Sequence, residues 1–185
     1  MVNITVQKTP NPQVLKFIFS DKLTESIAEF DSVDSARNIS SLSAQLLGFP
    51  WVKKVFIGEN FISITKEDWV EWEPVKDPLL HLLKQTSKRD ILNIQKTSPI
   101  NKSNNSQTDA EVVRQIQDIL DREIQPAVQM DGGFIQFDHY KDGKVYLKMQ
   151  GACSGCPSAE WTLKQGIEDR LKRDLPQILE VISIN

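Results

Sequence analysis

The only two cysteines of the chain, Cys153 and Cys156, stand three apart in Gly151-Ala152-Cys153-Ser154-Gly155-Cys156-Pro157. Two thiolates at this spacing across a tight turn converge on one point. Gly151 and Gly155 let the backbone curl around that point, and Pro157 suits the first position of a helix. The N-terminus of such a helix sets unpaired N–H groups and a positive dipole near sulfur, which favours the thiolate. Structural zinc and iron–sulfur clusters usually take four protein ligands, so two copies of the chain are the simplest source of four thiolates. The spacing alone leaves zinc, thiol–disulfide exchange and iron–sulfur chemistry open. A thioredoxin-type motif follows a strand in a parallel βαβ layout, whereas the element before these cysteines reads as an antiparallel hairpin, which weighs against dithiol exchange.

The elements that must hold this loop are legible around it. Thr108-Asp109-Ala110-Glu111 has the form of a capping box. It opens a helix whose apolar stripe is Val112, Val113, Ile116, Ile119, Leu120 and Ile124, ending near Pro126. Asp131-Gly132-Gly133 supplies a turn, with positive φ expected at its glycines, into a strand in which Ile135, Phe137 and His139 alternate inward. Asp142-Gly143 is a two-residue hairpin signal, and Val145, Leu147 and Met149 alternate on the strand that returns to the cysteines. Ala159, Leu163, Ile167 and Leu171 then form the buried stripe of a helix, and a strand over residues 178–184 closes the order αββαβ.

Ahead of it, residues 88–108, with Ser98-Pro99 and the Asn101–Ser106 run, read as a flexible polar linker. The expected organisation is therefore a first domain over 1–87, a linker over 88–108 and a second domain over 109–185. In the first, Ile4/Val6 and Leu15/Phe17/Phe19 alternate as strands about Thr9-Pro10-Asn11-Pro12. Ile39, Leu42, Leu46 and Leu47 mark a helix closed by Gly48. Residues 52–57 and 61–65 make a hairpin through Gly58-Glu59-Asn60, and a last helix starts with Asp77 as N-cap and Pro78 at its first position. The fold class is α+β, two small domains of order ββαββα and αββαβ.

Composition narrows the function. With 22 Lys+Arg against 25 Asp+Glu and a formal charge of −3, bulk electrostatics favour neither nucleic acid nor an anionic membrane. Basic and acidic side chains nearly balance from Met1 to Thr108, whereas acidic ones clearly outnumber basic ones from Asp109 onward, so the acidity belongs to the cysteine-bearing part. No apolar run nears the ~20 residues of a membrane span. The start of the chain has neither a basic leader nor an Arg-rich amphipathic one, so a cytoplasmic protein is expected, or a mature mitochondrial-matrix protein whose leader has been removed.

Asp131-Gly132-Gly133, Gln150-Gly151-Ala152-Cys153-Ser154-Gly155-Cys156-Pro157-Ser158, Thr162-Leu163-Lys164 and Gly166-Ile167-Glu168 together resemble the C-terminal NifU/Nfu domain. Thr9-Pro10-Asn11-Pro12, Leu15-Lys16-Phe17, residues 52–58 and residues 61–66 are similar to the N-terminal domain of Nfu proteins. The resemblance covers nearly the whole chain in the family's order, departing at Phe134 and Trp161. It implies a non-enzymatic iron–sulfur scaffold or carrier in which Cys153 and Cys156 of two subunits hold a [4Fe–4S] cluster, or the smaller [2Fe–2S]. It further implies a cluster-bridged homodimer, an upstream donor and apo-protein acceptors. Rival readings of the cysteines are a structural zinc-bridged dimer and a dithiol oxidoreductase.

Other residues read as structure. His139 is a packed strand-end residue and His81 a surface one. Trp69 and Trp72 anchor the packing of the first domain. Trp161, about 200° around its helix from the apolar stripe, faces outward within a turn of Cys156.

Overall fold

A computed structural model describes residues 3–86, 88–91, 107–154 and 157–184, the side chains of 88, 89, 107–109 and 157–160 excepted. The chain divides into two compact units, Met1–Thr97 and Ser98–Asn185. Each carries its own sheet.

In the first unit, β1 (Ile4–Lys8), β2 (Val14–Phe19), β3 (Ala28–Phe30), β4 (Val52–Ile57) and β5 (Phe61–Lys66) form an antiparallel sheet in the order β1-β2-β5-β4-β3. Helices α1 (Val33–Ala36), α2 (Ser41–Leu47), α3 (Trp72–Gln85) and α4 (Lys88–Ile91) complete it. The core joins Leu15, Phe17, Ile62, Ile64, Val55 and Ile57 to Leu42, Leu46, Leu79 and Leu83. The expected strands and hairpin are there, but β3, α1 and α4 were not anticipated. β3 is three residues long, too short to show an alternation. α2 is capped by Ser40, whose Oγ accepts the Ser43 N–H, and Gly48 ends it with φ −69°, a right-handed value that needs no glycine. α3 begins at Trp72 rather than Pro78, so Pro78 lies inside the helix; its missing donor would have faced the carbonyl of Pro74, within the first turn. α4 falls in the segment expected to be linker. Its Ile91 is 2% exposed in the first core, and Ser41 Oγ lies 3.3 Å from the Asp90 carbonyl and carboxylate oxygens. Residues 92–106 of the expected linker lie outside the described residues.

In the second unit the strands are β6 (Gly133–Lys141), β7 (Lys144–Gly151) and β8 (Glu180–Ile184), and the helices α5 (Gln107–Ile119), α6 (Gln125–Met130) and α7 (Pro157–Asp174). β6 pairs antiparallel and β8 parallel to the central β7. α5 opens at Gln107, ahead of the expected cap Thr108, whose side chain is not among those described. The helical path does not end at Pro126. A five-residue π turn, Leu120–Ile124, carries it past the proline, which occupies the opening of α6 where no N–H is needed. The core gathers Ile116, Leu120 and Val128 with Ile135, Val145, Leu147, Met149, Ile167, Leu171 and Val181.

A bulge between Phe137 and His139 inserts Asp138 and moves the inward phase of β6 by one residue. Tyr140 therefore packs on the core where alternation had placed His139. His139 instead stacks on its cross-strand partner Tyr146, ring centroids 4.0 Å apart, with Nδ1 2.7 Å from Asp138 Oδ2. Side-chain acceptors cover both edge strands. Gln125 Oε1 takes the Ile135 N–H at 3.2 Å. Glu168 Oε2 takes the Val181 N–H at 3.0 Å.

Candidate metal centre

The cysteine loop leaves β7 at Gly151 and enters α7 at Pro157. Gly151 has φ 64°, and its carbonyl accepts both the N–H and the Oγ–H of Ser154, each at 3.2 Å. Residues 151–154 therefore close as a turn. A second turn leads from α6 into β6: Gly132 has φ 82°, and its carbonyl takes the Ala152 N–H at 3.1 Å. Gly133 is the register partner of Gly151. The two turns thus lie side by side, pinned to each other, at the end of the β6–β7 ladder.

Between them sits Cys153, 7% exposed and part of the second core. A Cβ built on Gly133 would lie 2.2 Å from Cys153 Sγ. Burial, then the negative charge of Asp131, pushes the Cys153 thiol up to about 12. The expected preference for thiolate at the helix start is therefore reversed for Cys153, because desolvation penalises the charged sulfur. Cys156 and Gly155 lie outside the described residues. Among the described residues no group of three or more His, Cys, Asp or Glu could hold a metal ion.

The strand order also corrects one inference. β7, α7 and β8 form a parallel βαβ unit with the cysteines between strand and helix, so topology does not separate this loop from a thioredoxin-type one. As it sits here, Cys153 is buried rather than exposed as an attacking thiol in dithiol exchange would be.

Gln125 and the distinct duty of Gly133 were not singled out from sequence. Gln125 is buried, and its Oε1 ties β6 to the helix beside the loop, while its Nε2 has no hydrogen-bond partner among the described residues. The signal was faint: a glutamine before a proline, brought to the core by the π turn. Of the tryptophans, Trp72 packs on the first core and donates its indole N–H to the Pro12 carbonyl at 3.0 Å, as expected of an anchor. Trp69 is 70% exposed, unlike the buried anchor that was expected. Trp161 faces out, 67% exposed, and Met130, next to Asp131, is also exposed. His81 is exposed, with Nε2 3.5 Å from Gln85 Nε2.

Comparison with known proteins bears on this arrangement. The NifU-like domain profile matches residues 116–182, and that of the Nfu/NifU scaffold-protein N terminus matches residues 4–90. The human mitochondrial protein named NFU1 iron-sulfur cluster scaffold homolog is 35% identical over 95% of this chain and 69% of its own length. Its namesake from Drosophila persimilis is 35% identical over 96% of this chain and 64% of its own. The chain thus spans about two thirds of the length of these relatives. A solution NMR structure of a NifU-like protein from Saccharomyces cerevisiae aligns with 46% of this chain and 77% of its own at 28% identity and a TM-score of 0.40. The chain belongs to the Nfu/NifU family.

Proposed function

We propose that this protein is an iron–sulfur cluster scaffold and carrier, not an enzyme. Cys153 and Cys156 of one subunit and the same pair of a second hold one [4Fe–4S] cluster between them. Supporting this reading is one observation: the chain's only two cysteines occupy a strand-to-helix loop closed by a glycine turn, and a single chain supplies half of a four-thiolate site. The cluster is cargo. An acceptor's thiolates replace those of Cys153 and Cys156 one for one, each displaced sulfur taking up a proton, so the cluster passes on without a change of oxidation state.

A site shared between subunits suits transfer, since each chain contributes two bonds and releases them independently. Apo iron–sulfur proteins are the acceptors and an upstream assembly system the donor. The first unit, tethered through the segment after Ile91, recognises these partners. Among the described residues no helix is long and apolar enough to cross a membrane.

Anaerobic reconstitution with iron and sulfide tests the reading. Broad brown visible absorption that is lost in Cys153→Ser and in Cys156→Ser is the expected result. A colourless protein that binds zinc tightly, or one that reduces a model disulfide without metal, would replace it with the structural or the redox alternative.

A further inference from the structure

The glycines around the cysteine loop are glycines for different reasons. Gly132 has φ 82° and Gly151 has φ 64°. Side chains are strained at such values. Gly133 is not among the residues with positive φ. It lies in β6, in a conformation that any residue adopts, and is paired with Gly151. What it lacks room for is a side chain: a Cβ there would lie 2.2 Å from Cys153 Sγ and 3.1 Å from both the Cβ and the backbone nitrogen of Cys153. The sulfur rests where the missing methyl would be, in the apolar cluster that holds Ile135, Met149 and Ile167. At 7% exposure, a thiol seated there offers little open surface to a metal.

We propose that Gly133 is a positioning residue that seats Cys153 inside the second unit, and that cluster loading requires the thiol to leave this seat. This rests on the function proposed above. The seat lowers the apparent affinity for cluster by the fraction of chains in which the thiol is out. It also keeps a ligand thiol from oxidants and electrophiles while the chain waits for cargo.

Cys156→Ser leaves Cys153 as the single thiol, and its reaction with iodoacetamide at fixed pH can be followed by mass. The native protein should react at least roughly thirtyfold more slowly than the same chain unfolded in urea, as expected of a group reached only through local opening; a rate within about threefold of the unfolded chain would overturn the proposal. Gly133→Ala in the same background should expel the sulfur and speed alkylation of the folded protein at least about tenfold, and an unchanged rate would equally overturn it. Melting curves provide a second reading where Gly133→Ala weakens the fold: the loss in Tm it causes should shrink when Cys153 is also changed to Ala, whereas an equal loss in both backgrounds would assign the glycine to the backbone alone. None of these readouts involves a cluster. A chain that shields Cys153 yet fails to reconstitute refutes the carrier function, and one that reconstitutes with Cys153 freely reactive refutes the seat.

Discussion

Arg170 on α7 grips Glu123 in the π turn with two parallel bonds, Nε to Oε2 at 2.6 Å and Nη2 to Oε1 at 2.7 Å. The pair couples the helix that follows the cysteine loop to the π turn that leads into the helix before the Gly132 turn. Arg170 also meets Asp174 one turn on, and its guanidinium is held in the charged form by both carboxylates. Glu123 is nearly half exposed, so the interaction is screened and its geometry matters more than its charge. Arg170→Ala is expected to lower the urea midpoint of the second unit slightly, with Arg170→Lys recovering little because an ammonium cannot form the two-pronged bond. Urea denaturation of the wild-type and both variant proteins checks this.

Glu168 supplies a pH signature. Its carboxyl is held below the usual range by the Lys172 ammonium first and then by the Val181 N–H it accepts. A carboxyl depressed on folding contributes stability that is full above its ordinary value of 4.5 and is lost as pH falls through the lower folded value. Glu168→Gln should therefore cost about 1 kcal/mol at neutral pH, and the gap to wild type should close on acidification below about pH 4. Denaturation at a series of pH values reads it; a gap that is constant down to about pH 3 would contradict the assignment.

Gly166 lies inside α7, and a Cβ there would meet nothing within 4 Å. With no turn, close approach or positive φ to require glycine, Gly166→Ala should stabilise the helix by up to about 1 kcal/mol, raising Tm by about 4–8 °C for a unit of this size. Calorimetry of the variant decides it.

Trp161 stands out from the same helix near its start. Truncation of such an exposed side chain should barely move Tm, yet large aromatics at interfaces often carry ~2 kcal/mol or more of binding. Trp161→Ala is thus expected to slow cluster transfer to an acceptor or to weaken the loaded dimer. Normal transfer and normal dimerisation would remove Trp161 from the partner surface.

What the sequence made legible follows what each pattern depends on. The cysteine pair, the Asp142-Gly143 hairpin with φ of 50° and 76°, and the stripe through Ile167 and Leu171 are local, and all could be read directly. The π turn and the Asp138 bulge each insert one residue into a regular period. Every residue beyond the insertion then changes face, which is why His139 was expected inside and Gln125 was overlooked. Pro126 and Pro78 read as boundaries because a proline removes a donor. A π turn absorbs the first, and the second removes one bond from α3, to the Pro74 carbonyl, without ending the helix. The burial of Cys153 was not legible because it depends on the contact of two strand ends, Gly133 and the residue two past Gly151, which are far apart in sequence. Trp69 shows the converse: its large apolar surface predicts burial, but its place just after β5 leaves it in solvent.

The central claim, a cluster held between two chains by two thiolates from each, is tested most directly by native mass spectrometry of the anaerobically reconstituted protein. The account predicts a loaded species with the mass of two chains and one cluster, and only unloaded chain for Cys153→Ser or Cys156→Ser. A cluster carried by a single chain without an added small thiol, or a loaded dimer that survives either substitution, would contradict it.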